Sequence, residues 1–291
     1  MKKALWKGQT LKTQDAIAGS LFFSPWIIGF LIFTAYPMVY SILLSLNEVV
    51  FKPGYSEFLW RGLFYYDHAL NVDTSFRLDL GSTVLMIVCA TPVIMVFALI
   101  IALLLNGSYR GRSFFRAVFF LPVIIMSGPV VSKLLTGHSV DFSTVVPQIS
   151  EFLQSMPSVL STPVLYVLDN LVLIFWFSGV QILLFLSGLH KINPSLYEAA
   201  EIDGAGGWEK FWKITLPHMQ PMLLIGVIYT IVDLANYSKN DVNVKIAKHL
   251  FDKTGQYSFS AAMSWLYFVV EMLIIAAACG ILAFFGRSKK E

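Results

Sequence analysis

The nine residues YEAAEIDGA, numbered 197–205, lie between two long apolar runs and share the composition of neither. Ser195 and Glu198 have the spacing of a capping box, and Pro194 suits the first turn of a helix. Gly204 is placed to end that helix in a left-handed conformation, which a residue with a Cβ atom resists. The sequence therefore predicts a short polar helix between two membrane-spanning segments.

A second short helix is predicted directly after the first. Trp208, Phe211 and Trp212 have i, i+3, i+4 spacing and share one face of a helix from about residue 208 to 215. Pro217 is expected to end this helix where the next apolar run begins. We therefore expect a helix-turn-helix beside the bilayer, whose small alanine side chains let another protein approach the backbone closely.

The composition excludes an ordinary soluble domain. The 291-residue chain is 56% hydrophobic and 13% charged, with a mean hydropathy of +0.68. A membrane-spanning helix needs about 20 predominantly apolar residues. Six runs meet this length, at residues 18–46, 81–105, 117–137, 165–189, 218–235 and 262–286. Their length argues against a β-barrel, and the first run is too long for a cleaved signal peptide, so we expect it to remain as the first helix.

Few residues suggest chemistry. Cys89 and Cys279 lie in apolar runs, where buried thiols indicate neither a disulfide nor a metal site. The histidines are scattered without ligand spacing, and no arrangement of nucleophile and base is evident. The net charge of +3 without a basic cluster does not favour nucleic acid. We therefore predict no catalytic site, no metal and no nucleic-acid partner.

Positive charges near the ends of the apolar runs predict the orientation. They are concentrated at the N-terminus, after the second run, around the helix-turn-helix and in the tail, at Lys2, Lys3, Lys7, Lys12, Arg110, Arg112, Arg116, Lys191, Lys210, Lys213, Arg287, Lys289 and Lys290. The loop 138–163 has acidic residues but no Lys or Arg, whereas the lysines of the loop 236–256 run against the rule. The balance places both termini and the helix-turn-helix in the cytoplasm.

Residues 194–221 resemble the EAA loop of permease subunits of ATP-binding-cassette importers. The resemblance rests on the following residues in family spacing: Glu198-Ala199-Ala200, Asp203-Gly204-Ala205, Phe211, Ile214, Leu216, Pro217 and Pro221. Further stretches resemble the sugar-transporter branch of these permeases, among them LLLN at 103–106, GR at 111–112, FFR at 114–116 and FLP at 120–122. Two regions depart from the family: residues 190–194, where Gln-x-Ile-Pro is common, and the loop 236–256, which does not align.

The resemblance implies an all-α polytopic membrane protein. Six transmembrane helices would form a type I ABC importer transmembrane domain with a cytoplasmic coupling helix. Residues 1–80 would hold the N-terminal cytoplasmic segment, the first transmembrane helix and an outer loop. Residues 81–286 would form the transmembrane core, with the EAA loop at 194–221, and residues 287–291 would be a cytoplasmic tail.

The resemblance also implies that another subunit drives this chain. The sequence has no GxxxxGK[ST] phosphate loop, so we expect it to be no enzyme and to carry no cofactor. A separate ATPase would bind ATP and Mg and receive the EAA helix in a groove. The coupling residues implied by the family are Glu198, Ala199, Ala200, Asp203, Gly204, Ala205 and Pro217. The competing interpretation is a helix that rests on the membrane surface, but the acidic residues of 198–209 argue against it.

The implied partners follow from the same family. They are two ATPase copies, a second homologous permease that would make a heterodimer, an extracytoplasmic solute-binding protein, and the lipid bilayer. The expected location is the cytoplasmic membrane of a prokaryotic cell, crossed several times, with both termini cytoplasmic.

Polar and aromatic residues within the apolar runs are candidates for the solute path. Ionisable groups are costly in lipid and are therefore functional candidates, and aromatic rings stack on sugars. The candidates are Glu271, Asp233, Asn170, Trp176 and Tyr229. The alternative for Glu271 is contact between helices, and for Asp233 it is ordinary placement at the membrane interface.

Other functions remain open at this point. The same architecture would serve an importer for an amino acid, a polyamine or a phosphonate. An ion-coupled secondary transporter would need paired intramembrane acids and an inverted repeat, and no clear repeat is detected. A membrane-embedded enzyme would need a reactive constellation, which the sequence does not show. Which solute is carried does not follow from the sequence.

Overall fold

The computed structural model describes residues 11–52, 55–107, 155, 171–237, 240–252 and 256–287. The predicted third span, the arginine-containing loop before it and Asn170 lie outside the described residues. The chain divides into two compact units, Met1–Leu78 with Val244–Phe268, and Asp79–Asn243 with Val269–Glu291. Each unit is described by itself below.

Long apolar helices dominate the described part of the chain. Three are long enough to cross a membrane: Gly19–Leu46, Thr74–Asn106 and Tyr257–Phe284. Two bent pairs raise the number to as many as five if each pair is one span: Ile174–Leu189 with Pro194–Ile202, and Gly207–His218 with Gln220–Ala235. The multi-pass helical prediction is confirmed to this extent, and the count of six stays a prediction.

The first unit begins with a helix that runs past a proline. Helix α1 (Leu11–Phe30) continues through a wide π-helical turn at Leu31–Ala35 into helix α2 (Tyr36–Leu46). In this turn the backbone N–H of Tyr36 donates to the carbonyl of Leu31, five residues earlier. Pro37 follows immediately and lacks an N–H of its own. The widened turn places the proline ring without ending the helix.

A β-hairpin follows α2, which corrects the all-α prediction for the outer loop. Strand β1 (Asn47–Lys52) pairs antiparallel with β2 (Tyr55–Trp60), with Asn47 opposite Trp60 and Lys52 opposite Tyr55. Valines and aromatic residues in this stretch favour extended structure. The chain then forms helix α3 (Phe64–Asp67) and a second π-helical turn at His68–Val72.

Helix α4 (Thr74–Asn106) begins seven residues before the predicted span at 81–105. The reason is a cap that the prediction missed: Oδ1 of Asp73 accepts the backbone N–H of Phe76 at 2.9 Å. The last helix likewise begins at Tyr257, before the predicted 262. Polar residues at the N-terminal ends of these helices therefore extend them beyond the apolar runs.

The second unit contains most of the remaining helices. They are α5 (Leu171–Leu189), α6 (Pro194–Ile202), α7 (Gly207–Lys210), a π-helical turn at Phe211–Thr215, α8 (Leu216–His218) and α9 (Gln220–Ala235). Helix α10 (Asp241–Leu250) and helix α11 (Tyr257–Arg287) complete the described chain. The hydrophobic core of this unit includes Met95, Ala98, Ala102, Leu105, Ile182, Phe185, Leu186, Leu189, Ile192 and Met219.

Helix α10 lies in the loop 236–256 that did not align with the family. Oδ1 of Asn240 accepts the backbone N–H of Val242 at 3.1 Å and so caps the helix. The same oxygen accepts the hydroxyl of Thr83 at 2.7 Å, which ties the cap to α4. The many polar residues of this loop thus build ordered structure.

The prediction that both cysteines are buried was wrong. Cys89 is exposed, and Cys279 is partly exposed. An apolar run in a membrane protein turns one side to other helices and another to lipid, so hydrophobicity alone does not predict burial in the protein. Both thiols are free.

Candidate coupling site

The coupling segment, residues 193–219, starts with a capped helix. Oδ1 of Asn193 accepts the backbone N–H of Ser195 at 3.1 Å, and Pro194 occupies the first helical turn. The prediction that Ser195 caps this helix was wrong, because the cap is Asn193, two residues earlier, and Ser195 already lies within the helix. The predicted place of Pro194 is confirmed.

The end of α6 matches the predicted glycine turn. Gly204 has φ +77°, the left-handed conformation. The N–H of Ala205 donates to the carbonyl of Ala200 at 2.8 Å, and that of Gly204 donates to Glu201 at 3.0 Å. These two bonds form a Schellman motif, which satisfies carbonyls that the end of a helix otherwise leaves unpaired. The chain direction between the two helices is therefore fixed by backbone geometry.

Pro217 does not end the second helix, contrary to the prediction. The helical path runs from Gly207 to His218 and only then bends, by 67°, into α9. As at Pro37, a π-helical turn precedes the proline: the N–H of Leu216 donates to the carbonyl of Phe211. The widened turn relieves the clash that a proline ring makes with the carbonyl four residues earlier. Pro217 instead shapes the path that leads to the bend.

Two side-chain contacts join the helices of the coupling segment. Nζ of Lys210 lies 2.7 Å from Oε1 of Glu201, across the glycine turn. The hydroxyls of Tyr197 and Thr215 are 2.9 Å apart, and Thr215 is buried. Sequence reasoning identified neither pair, since nothing in the local pattern marks residues 9 and 18 positions apart as partners. Together with the Schellman motif, they make the segment one stiff unit.

The inner side of the coupling segment is continuous with the hydrophobic core of the second unit. Ile192 and Met219 are core members, and Tyr197 and Ile214 pack against the same cluster. Gly188 brings the helices close, because a Cβ there would lie 2.7 Å from Cγ of Met222. Since packed interiors have little free volume, a displacement of the segment is passed to the helices it touches.

The outer side of the segment is open. Glu198, Ala199 and Asp203 are exposed, whereas Ala200 and Ala205 are partly buried. Ile202 is 88% exposed, an unusual state for an isoleucine beside a capped helix end. Sequence reasoning missed Ile202, although a large apolar residue directly before the predicted glycine turn was a usable signal. The segment thus offers a partner a polar helix with an apolar tip.

The predicted aromatic face is present. The rings of Trp208 and Trp212 meet edge to face at 5.5 Å, and Phe211 lies 5.3 Å from Trp212. Trp208 is 74% exposed. The cluster lies ahead of the bend into α9, where aromatic residues suit a membrane interface.

The structure does not gather the candidate solute-path residues into one site. Glu271 is buried in α11, Asp233 and Trp176 are partly buried, and Tyr229 is exposed. Among the described residues, no hydrogen bond or ion pair joins any two of these four. Their role in a solute path therefore stays a prediction, as does that of Asn170.

A buried polar contact that the sequence analysis did not predict lies between α5 and α9. Nε2 of Gln181 donates to Oγ1 of Thr230 at 2.9 Å, and Thr230 donates to the carbonyl of Gly226 at 2.8 Å. Both side chains are fully buried. Hydrogen bonds of this kind hold apolar helices together in membranes. A glutamine in the middle of an apolar run was the signal.

Comparison with known proteins agrees with this architecture. Residues 75–238, more than half of the chain, match the family described as binding-protein-dependent transport system inner membrane component. The chain is 29% identical to the probable ABC transporter permease protein YesP of Bacillus subtilis, covering 93% of this chain and 92% of that protein. It is 28% identical to the multiple sugar-binding transport system permease protein MsmF of Streptococcus mutans, covering 82% and 89%.

The fold also resembles a solved structure. A bacterial ABC transporter involved in the import of the acidic polysaccharide alginate contains a chain that matches with a TM-score of 0.62 and 20% identity. The match covers 96% of this chain and 98% of that one. At this identity the likeness concerns the fold alone.

Proposed function

This chain belongs to the family of binding-protein-dependent transport system inner membrane components, and we propose that it is the permease subunit of an ATP-driven importer for a sugar or oligosaccharide. The single observation that carries the proposal is the coupling segment, a stiff helix pair with an open outer side and an inner side continuous with the core. A permease without a phosphate loop needs such a contact to receive energy from another subunit.

In the proposed mechanism, α6 enters a groove of an ATPase subunit that holds ATP and Mg. Ile202 supplies an apolar anchor, and Glu198 and Asp203 supply polar contacts at its rim. Closure of the ATPase dimer displaces α6. The Tyr197–Thr215 contact and the core around Ile192 pass that displacement to the helices, which open the solute path alternately to each side.

We propose that the coupling segment and both termini are cytoplasmic. The distribution of Lys and Arg supports this orientation. With a cytoplasmic N-terminus, the candidate span Gly19–Leu46 leads to an extracytoplasmic hairpin at 47–60. With a cytoplasmic coupling segment, α9 leads to an extracytoplasmic stretch at 240–256. A solute-binding protein would approach the extracytoplasmic face, and a second, homologous permease would complete the path.

We propose a sugar as the solute because this chain resembles the sugar-transporter branch of the permease family. MsmF is by its name the permease of a multiple sugar-binding system, and it matches most of this chain. Glu271, Asp233, Asn170, Trp176 and Tyr229 remain the proposed solute-path residues. A non-sugar solute on the same architecture is the alternative, and uptake assays with labelled sugars distinguish the two.

Co-purification tests the coupling role. The tagged chain is isolated from its own cells in mild detergent, and the ATP hydrolysis that elutes with it is measured. We expect Ile202→Asp and Glu198→Lys to remove this activity. Ile202→Asp places a charge where the partner packs on the apolar anchor, and Glu198→Lys reverses a charge at the edge of that contact. Ile202→Val and Glu57→Lys, in the hairpin, are the matched controls and should retain it. Activity that survives both test substitutions would refute the coupling assignment.

A further inference from the structure

A cavity in the first unit is not part of the coupling site. Its volume is about 510 Å³, within the range of small-molecule pockets. The described residues around it come from β1, from α3 and the turn that follows it, from the end of α10 and from the start of α11. On the proposed orientation, the cavity is extracytoplasmic.

One wall of the cavity is aromatic and rigid. Phe259 is 7% exposed. The imidazoles of His68 and His249 each meet its ring edge-on, and the centroid of each imidazole lies 5.2 Å from the centroid of the Phe259 ring. Tyr65 lies 6.4 Å from the same ring. Because these rings hold one another in place, they present a fixed apolar surface to whatever enters.

Two carboxylates add hydrogen-bond acceptors. Oε2 of Glu48 pairs with Arg61 at 2.7 Å. Oδ1 of Asp73 accepts Nζ of Lys245 at 3.0 Å, as well as the Ser75 hydroxyl. Burial would raise the pKa of Asp73, but hydrogen bonds from Phe76, Ser75 and Lys245 lower it to about 2, so it is ionised at neutral pH. Within the described part of the chain, the second oxygen of each carboxylate accepts no hydrogen bond.

A side-chain amide adds donors. Nδ1–H of His249 donates to Oε1 of Gln256 at 2.6 Å, which fixes the amide. Nε2 of Gln256 has no hydrogen-bond acceptor among the described residues. An oriented amide beside two carboxylates and a flat ring is the combination that binds the hydroxyls and the apolar face of a sugar.

The charges around the cavity indicate which sugars fit. None of the described lining residues is Lys or Arg, so among these residues an anion such as a uronate finds no Lys or Arg counter-charge. The carboxylates of Glu48 and Asp73 are compensated by Arg61 and Lys245, so a cation gains little. A neutral hydroxylated ring meets acceptors, a donor and an aromatic wall at no electrostatic cost.

We propose that this cavity is an extracytoplasmic subsite for one ring of a neutral saccharide. The inference rests on the proposed sugar function and narrows it to neutral sugars. It also assigns Tyr65 and Gln256 to solute recognition. Neither the family resemblance nor the sequence pattern indicates these two residues.

Saturation-transfer NMR on the purified full chain in nanodiscs tests the proposal. The probes are neutral trimers (maltotriose, xylotriose and arabinotriose), the acidic trimer trigalacturonate, and the cationic glucosamine trimer. We expect signal transfer to at least one neutral trimer and none to the charged ones. Tyr65→Leu and Gln256→Leu should each weaken neutral-trimer binding at least tenfold. Tyr55→Leu, in the hairpin but outside the cavity, is the control and should leave it unchanged.

The outcomes separate this inference from the proposed function. No transfer to any neutral trimer, preferred binding of a charged trimer, or binding that survives both Tyr65→Leu and Gln256→Leu would overturn the subsite. ATP hydrolysis that co-purifies with the same preparation reports on coupling alone. If that activity is present while the cavity stays empty, the subsite fails and the transport function stands.

Discussion

The coupling segment and the cavity are built by opposite means. In the coupling segment, the decisive bonds are local: the Schellman motif at Gly204 joins residues at most five positions apart. The cavity depends on distant partners, since Lys245 and Asp73 are 172 residues apart. A site made of local bonds keeps its shape when the rest of the protein moves, as a mechanical element must. A site made of distant bonds can change with the fold around it.

The largest effect is expected from breaking the local turn. Gly204→Val places a β-branched residue at φ +77°, a conformation that strains such a residue by about 3 kcal/mol. We expect α6 to lose its orientation and co-purifying ATP hydrolysis to fall more than tenfold. Gly206→Ala is the matched control, because Gly206 has φ −71° and an added methyl group there would meet no neighbour within 4 Å. An equal loss of ATP hydrolysis in both variants would show that the left-handed turn at Gly204 is not required for coupling.

The next effect concerns the core beneath the coupling segment. In Gly188→Ala the new methyl would meet Cγ of Met222 at 2.7 Å and Sδ of Met219 at 2.9 Å. Overpacking of this kind costs about 2 kcal/mol. We expect a lower Tm in detergent, read by intrinsic fluorescence. Gly280→Ala, in open space on α11, adds a methyl group without a clash and should not lower Tm. A Gly188→Ala protein as stable as that control would contradict the packing account.

The smallest effect is expected in the first unit, at the ion pair beside the cavity. Asp73 has a pKa of about 2, below its ordinary value near 3.9, so its ionised form stabilises the fold above about pH 4 and this contribution is lost as the pH falls toward 2. Asp73→Asn should therefore cost about 1 kcal/mol at neutral pH. The Tm difference from the unaltered protein should be equal at pH 7 and pH 5 and smaller at pH 3. A difference that already closes between pH 7 and pH 5 would show that another group is responsible.

The same contrast explains what the sequence could predict. The short helix before Gly204, the left-handed conformation of Gly204 and the aromatic face at 208–212 follow from residues close in the chain. Each is present in the structure, although the helix begins at Pro194, before the predicted cap Ser195. The cap was misplaced by two residues because Asn193 and Ser195 are both good capping residues and only the backbone decides between them. Pro217 was misread because a π-helical turn absorbs a proline that an α-helix would not.

The cavity could not have been predicted in this way. Phe259 and Gln256 lie more than 190 residues from Glu48 and Tyr65 in sequence, and no local pattern relates them. The hairpin at 47–60 was missed because its strands are short and lie next to a long apolar run. The lysines of 236–256 do not follow the positive-inside rule. One of them, Lys245, forms an ion pair with Asp73. A rule that counts charges does not register that pairing.

The most direct test of the coupling role uses a photocrosslinking amino acid at one exposed position in each region. It is placed at Ile202, which is 88% exposed in the coupling segment, or at Tyr55, which is 61% exposed in the hairpin. After illumination in native membranes, mass spectrometry identifies the protein joined to the chain. We predict a phosphate-loop ATPase joined at Ile202 and none at Tyr55. An ATPase joined at Tyr55, or none at Ile202 in membranes that import solute, would contradict the account.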